Sequence, residues 1–510
     1  MEQSYDAIVV GAGFGGLSAA ACLAKAGKHV LVVERQNGVG GFGHVFRRGP
    51  YTFDPAVHFT VLGQKGELLH MLLDILGVAD QVEFLDTDIV TGVEFPDGRF
   101  DLPLGMDACA DAMAKAAPEA IDGIRAFLAA TAEFTAQSQS QGMRVSLRDL
   151  ESTVDQFPLL FKYRMSTLDE VLDEFVADPR ARAMCGAAWP YCGTPPARIS
   201  FATYAALLDV CISHGPVYAK GSFQSLADAL ATAVRLHGGE VLLESSVTKV
   251  LIEQGAAVGV ELEGGRRVRA DIVVSNADAS FTFETLVGPE HLPERFLRRL
   301  RRMTPSASAV VLYAATRADP VAAGLPHEML INRHWDHSAS WTDITEGRLG
   351  GLWVAFPTML DPDLAPAGEH LMILTSMAQY DIGEPWADAK PRYTELLLEE
   401  AERILPGFRE GLTHSEVATP LTLERYTGVQ KGAIYGWDNT PAQCVPKRMS
   451  QHTPVPGLYL AGHWANPGSG SFRSIYSGIG AAGMSLGYPN LMEFVGAIAG
   501  FGPQDPSSAP

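Results

Sequence analysis

The residues with the clearest chemical signature are Gly11, Gly13 and Gly16, spaced Gly-x-Gly-x-x-Gly, with Glu34 following them. That combination suits a dinucleotide. Gly11 makes a tight turn out of a strand. Gly13 has no side chain, so a pyrophosphate can approach the backbone. Gly16 lets helix and strand pack closely. Phe14 and Gly15 complete the loop. Glu34 offers a carboxylate to a ribose diol and would repel a 2′-phosphate, which disfavours NADP. Directly afterwards, Arg35 opens a stretch containing Gly38, Gly40, Gly41 and Gly43. So many glycines predict a second loop able to pass close to the same ligand.

These residues need particular elements to hold them. Asp6 to Val10 reads as an apolar strand, Leu17 to about Ala26 as an Ala-rich helix, and His29 to Val33 as a second strand. A helix N-terminus following the glycines presents free N–H groups and partial positive charge to phosphates. Near the other end of the chain, Gly457-Leu458-Tyr459-Leu460-Ala461-Gly462 reads as another strand of the same sheet. After His463 and a Gly/Ser-rich loop, Ile475 to Leu486 reads as a helix. Its N-terminus, following Ser471-Phe472-Arg473-Ser474, would point at the cofactor. A positive helix end near a flavin pyrimidine stabilises the negative charge that appears on reduction. The opening motif alone says NAD or FAD.

With 510 residues, the chain is too long for one simple core, and two intertwined domains are expected. A formal net charge of −20 argues against nucleic-acid binding, since no basic field would attract phosphates. The six cysteines are scattered without a Cys-x-x-Cys pair, so no metal or redox pair is expected by spacing. No signal peptide fits before the first strand, and no apolar run reaches membrane-spanning length. The expected location is the cytoplasm, with room for peripheral contact with a membrane.

Leu68, Leu69, Leu72, Leu73 and Leu76 predict an amphipathic helix over 66–76, and Pro96-Asp97-Gly98 a hairpin turn. Residues 106–136 and most of 145–208 read as helical. The second block, rich in Phe, Leu, Met, Tyr and Trp, is either plain core or the wall of an apolar channel. Short strands over 240–277 return to the first domain. Ser308 to Ala315, Gly351 to Pro357 and His370 to Ala378 read as strands of a separate sheet, with a helix from Tyr393 to about Ile404. The expected fold class is α/β: a discontinuous Rossmann-type FAD-binding domain (1–104, 218–290 and 416–502) with an inserted α+β substrate domain (105–217 and 291–415). The tail 503–510 is expected to be disordered.

The opening unit, the Gly40-Gly41 loop and the Gly-Leu-Tyr-Leu-Ala-Gly segment resemble the FAD-dependent amine oxidase/phytoene desaturase superfamily, which implies a p-hydroxybenzoate hydroxylase/amine oxidase-like architecture. Tyr51-Thr52-Phe53-Asp54-Pro55-Ala56-Val57-His58 is similar to the Phe-Asp-x-Gly-x-His region of its carotenoid desaturase, carotenoid isomerase and retinol saturase group. Gly468-Ser469-Gly470 with Ser477-Gly478 looks like that group's terminal flavin segment. The resemblance implies extended FAD, its pyrophosphate on Gly11, Gly13, Gly15 and Gly16 and its ribose on Glu34. Gly40 and Gly41 would line the flavin side, and the backbone of Val247 would meet the adenine. Gly462, His463 and the segment Gly470 to Ile475, with Phe472 and Ser474, would contact the ribityl chain and the ring. Two positions depart from the pattern. His463 stands where the family usually has an acid, and Ala56 where the motif often has glycine.

The family inserts, removes or isomerises double bonds in long polyenes by hydride transfer between carbon and flavin N5. Polar candidates for the accompanying proton work are Asp54, His58, Arg47, Glu424 and Arg425. The expected activity is therefore FAD-dependent oxidoreduction of an apolar polyene, a carotenoid or polyene acyl product, with desaturation ahead of isomerisation or saturation. An amine or porphyrinogen oxidase, and a flavin-free prenyl- or lipid-binding escort of the same fold, are the alternatives. Co-purifying flavin colour separates the last from the enzymes.

Overall fold

The computed structural model describes residues 3–144 and 154–500. The expected tail and part of the second helical block lie outside the described residues. Five strands form a parallel sheet in the order Glu240–Leu242, Val30–Val33, Ala7–Val10, Ile272–Ser275 and Leu458–Leu460. Both faces of the central strands are covered, so Ala7–Val10 and Val30–Val33 are buried at every position. The helices Phe14–Lys25 and Ser471–Ser485 pack side by side on one face. A β-carbon on Gly478 would lie 2.1 Å from the Gly15 carbonyl oxygen, so only glycine permits that approach. The α/β fold expected from the sequence is the one observed.

A seven-stranded sheet stands apart from the first. Its order is Leu412–Ala418, Ser308–Thr316, His370–Ala378, Gly350–Ala355, Glu328–Ile331, Ile89–Phe95 and Gly98–Pro103. All neighbours are antiparallel except Glu328–Ile331 with Ile89–Phe95. Alternation gives it two faces. Val310, Leu312 and Ala314 face the helix Trp386–Ile404, together with Leu374, Tyr393 and Leu397. Ala309, Val311 and Tyr313 face the other way. Helices including Ile121–Arg144, Leu168–Phe175 and Phe201–His214 pack around a third core built on Phe127, Trp189, Phe201 and Tyr204. Among the described residues no helix is long and apolar enough to cross a membrane.

Several local expectations shift. The hairpin Ile89–Pro103, grouped by sequence with the cofactor segments, joins the seven-stranded sheet through Glu328–Ile331. That partner strand is only four residues long, too short to stand out in the sequence. The helix expected from Tyr393 begins at Trp386 and runs through Pro391. Proline there removes one early hydrogen bond, while Trp386 and Ala389 anchor the added turns in the core. The last large helix begins at Ser471 rather than Ile475, capped by Gly470 at φ 111°.

Candidate functional site

Gly11, Glu34, Asn276 and Gly462 each follow the C-terminal end of a neighbouring parallel strand. That edge is where open α/β sheets bind ligands. Register brings the strand ends level, Val10 beside Val33 and Ser275 beside both Val10 and Leu460. The glycines are there for space. A β-carbon on Gly16 would sit 2.0 Å from the Gly11 carbonyl oxygen, and one on Gly15 would sit 2.6 Å from Asn276 Oδ1 and from the Gly462 nitrogen. The Gly40 N–H donates to the Ala12 carbonyl at 2.8 Å, drawing the second glycine loop beside the first. Gly41, at φ 59°, has its Cβ direction 3.0 Å from Gly13 Cα.

Glu34 is 8% exposed. Its Oε2 accepts the Ala12 N–H at 2.7 Å and its Oε1 the Gln36 N–H at 2.8 Å. Each oxygen keeps a second acceptor direction, and the side chain lines the cavity. Two helix N-termini also open there. Neither Gly13 nor Gly470, the capping residues, supplies a side-chain acceptor, and neither first turn carries an acid. Such uncapped N–H groups with no competing carboxylate suit phosphates and developing negative charge.

The cavity has a volume of about 2120 Å³, well above the roughly 300–1,000 Å³ of a pocket for one small ligand. It holds Gly11, Gly13, Phe14, Gly15, Glu34, Arg35, Gly40, Gly41 and Val247 at one end. Gly462, His463, Gly470, Phe472 and Ser474 line it from the C-terminal segment. Leu72, Ile75, Phe134, Phe161, Leu207 and Val210 give the same cavity an apolar arm. The seven-stranded sheet closes it with Val311, Tyr313, Trp353 and Thr375. The aromatic helical block is thus core and channel wall at once: Phe201 and Tyr204 are fully buried, while Ala206, Leu207 and Val210 face the cavity.

Other expected site residues lie elsewhere. Gly16 serves packing, and Ile475 is fully buried with its carbonyl accepting the Ser18 hydroxyl at 2.9 Å. Arg47 is exposed and does not line the cavity, because its strand turns Phe46 and Arg48 inward instead. Asp54 is 3% exposed and off the cavity, bound by the Tyr218 hydroxyl at 2.5 Å and the Phe223 N–H at 2.9 Å. Burial pushes its carboxyl up to about 7 against both hydrogen bonds. Its visible work is to tie Tyr51–Phe53 to the strand and helix around residue 220. Glu424 accepts the Tyr380 hydroxyl and the Lys431 N–H outside the cavity. Arg425 is exposed and offers its carbonyl to Arg35 at 3.0 Å.

His58 alone of the five polar candidates lines the cavity. His463, the departure from the acidic pattern, also faces it. Burial and then Arg448 hold its imidazole down to about 3, so it is neutral and carries one N–H donor. Arg448 secures that loop by donating to the His463 carbonyl. Sequence reasoning missed Asn276, Tyr191, Trp353 and Glu328. Asn276 had a signal, as a polar residue directly after a parallel strand. The other three are single residues in apolar segments and had none.

The profile of the flavin containing amine oxidoreductase family matches residues 14–483. The chain belongs to that family. It is 29% identical to the phytoene desaturase (neurosporene-forming) of Rhodobacter capsulatus, over 94% of this chain and 93% of that one. It is 26% identical to prolycopene isomerase 1, chloroplastic, of an Oncidium hybrid cultivar, over 94% of this chain and 83% of the other. Its fold superposes on cyclohexylamine oxidase from Brevibacterium oxydans with a TM-score of 0.62 at 18% identity, covering 97% and 99% of the two chains. The protein is an FAD-dependent oxidoreductase, which removes the flavin-free escort from consideration. The close-approach glycines, the two uncapped helix ends and the half-satisfied Glu34 fit this cofactor.

Proposed function

We propose that this enzyme oxidises, reduces or rearranges C–C and C=C bonds of a long apolar polyene, with desaturation as its leading direction. The observation that carries the reading is the apolar arm, continuous with the glycine-lined end and walled by Leu72, Ile75, Phe134, Phe161, Leu207 and Val210. A rigid hydrocarbon matches such a lining. The names of the phytoene desaturase and prolycopene isomerase relatives support the same substrate class.

FAD, when bound, supplies a two-electron hydride acceptor or donor. The chain's part is placement. In this reading the Gly13 and Gly470 helix ends hold the phosphates and the pyrimidine side of the ring, Glu34 the ribose, and the Val247 backbone the adenine. Gly40, Gly41 and Phe42, which line the cavity, would hold the flavin side. Arg35, Gly462, His463, Phe472 and Ser474 complete the contacts. The apolar arm excludes water from the reacting bonds. Leu68, Met71 and Met492 line the cavity and are exposed, which supports entry of the substrate from an apolar phase such as a membrane surface.

The test is anaerobic incubation of the flavin-loaded protein with a panel of polyenes, followed by product mass. Loss of two hydrogens is the expected result. An unchanged mass with a shifted spectrum makes it an isomerase, and a gain a saturase. Turnover of amines with peroxide release, and of no polyene, would overturn the reading.

A further inference from the structure

Glu328 is 2% exposed. A carboxylate enclosed that fully is costly unless paired and hydrogen-bonded. Two side chains from distant segments meet it. The Tyr191 hydroxyl donates to Oε1. His58 Nδ1 lies 2.9 Å from the same oxygen, off the line of a directed hydrogen bond. Burial alone would raise the Glu328 carboxyl, but His58, His327 and Tyr191 together bring it below the usual range. An ionised oxygen 2.9 Å from Nδ1 favours a proton on that nitrogen over a lone pair. The proton therefore belongs on Nδ1.

The Nδ1 edge is fully buried, while the imidazole as a whole lines the cavity. Nε2 has no partner among the described residues and is the edge left to the cavity. Trp353 and Tyr191 hold the ring, each at 5.9 Å between centroids. His327, beside Glu328, is kept below its usual range chiefly by burial, against the pull of the Glu328 carboxylate.

We propose that His58 Nε2 exchanges a proton with the substrate, and that Glu328, held by Tyr191, is the positioning residue that orients the ring. The inference rests on the polyene reading. In the desaturating direction one C–H bond breaks. Its proton goes to Nε2 and its electron pair becomes the new π bond. The neighbouring carbon gives up hydride, carrying two electrons, to the oxidised flavin. Saturation is the reverse, with the proton returned from Nε2.

The experiment uses flavin-loaded enzyme labelled with ¹⁵N-histidine, alongside His58→Gln, Glu328→Gln and Tyr191→Phe, each checked for retained flavin absorbance. Nitrogen NMR of the wild type should show His58 protonated at Nδ1 with Nε2 free. Glu328→Gln should lose that preference. With a polyene substrate, His58→Gln should lower kcat by about 10²- to 10⁴-fold with little change in KM, and Glu328→Gln by about tenfold or more. If Glu328→Gln does not retain flavin, Tyr191→Phe takes its place, with a smaller loss in kcat and a partial loss of the Nδ1 signature. Undiminished kcat in a flavin-loaded His58→Gln, or a wild-type ring protonated at Nε2 alone, would overturn the proposal. If the wild type converts no polyene, the polyene reading fails instead, and the nitrogen spectrum still decides the arrangement of His58 on Glu328.

Discussion

At one end of the cavity a β-carbon on Gly16 would lie 2.0 Å from a backbone oxygen, and one on Gly478 2.1 Å from another. At the other end, Phe161, Leu207 and Val210 face open space that many apolar side chains could border equally well. The first end tolerates one residue type at each close approach. The second asks only for hydrophobicity and roughly conserved volume. In the proposed reading, a cofactor shared by many enzymes would be held by backbone geometry, and a substrate particular to one enzyme by interchangeable side chains.

The sharpest way to break this comparison is to overfill each end by little. Gly16→Ala should cost about 1–3 kcal/mol or more from overpacking and yield protein without flavin colour. Leu207→Met should stay within about 1.5 kcal/mol and keep its flavin. Flavin absorbance and thermal melting read both. A yellow, stable Gly16→Ala would show that the close helix–strand approach is not needed.

A smaller effect is expected at Glu34. Glu34→Gln replaces one of two acceptor oxygens by a donor facing a backbone N–H, so FAD affinity should fall by the equivalent of about 1–3 kcal/mol. Titration of flavin-depleted protein measures it. Undiminished affinity would assign Glu34 to loop structure only.

Acid and base should separate the halves next. Asp54, beside the cofactor end, has its folded carboxyl raised from 3.8 to about 7. The unfolded chain therefore releases its proton first, and this contribution is full below pH 3.8 and lost as pH rises through about 7. His337, which opens the helix His337–Thr345, accepts from the Trp189 indole N–H at 3.0 Å and contacts the Ala183 carbonyl at 2.9 Å. Burial depresses it from 6.5 to about 4. Its contribution is present above pH 6.5 and lost as pH falls through about 4. Each group can change stability by at most about 1.4 kcal/mol per pH unit inside its window. The two windows overlap with opposite slopes, so in melting curves from pH 4 to 8 Asp54→Asn should gain stability relative to wild type as pH rises, and His337→Asn should lose it. A pH trend of the same sign in both variants would refute the assignment.

The smallest effects belong to Arg47→Ala and Arg425→Ala. Both side chains are exposed and off the cavity, so stability should change by no more than about 0.5 kcal/mol and turnover hardly at all. A tenfold loss in either would mean that the cavity's boundary has been drawn too tightly.

What the sequence determined by itself is the unit from Ala7 to Glu34. Strand, glycine turn, helix and acid are fixed by near neighbours in the chain, and glycine is chosen by local contacts that its spacing announces. The extra turn before Ile475 was hidden only because Ser471 to Ser474 resemble a loop as much as a helix start. Tertiary structure alone decided the rest. Strand alternation turned Phe46 and Arg48 toward the cavity and Arg47 away. Burial against Tyr218 made Asp54 a tie. Glu328, on a four-residue strand, met His58 and Tyr191 only through pairing in a sheet whose partners lie far apart in the chain. Periodicity and propensity carry information over a few residues, whereas a side chain's partners across a fold depend on sheet register and packing.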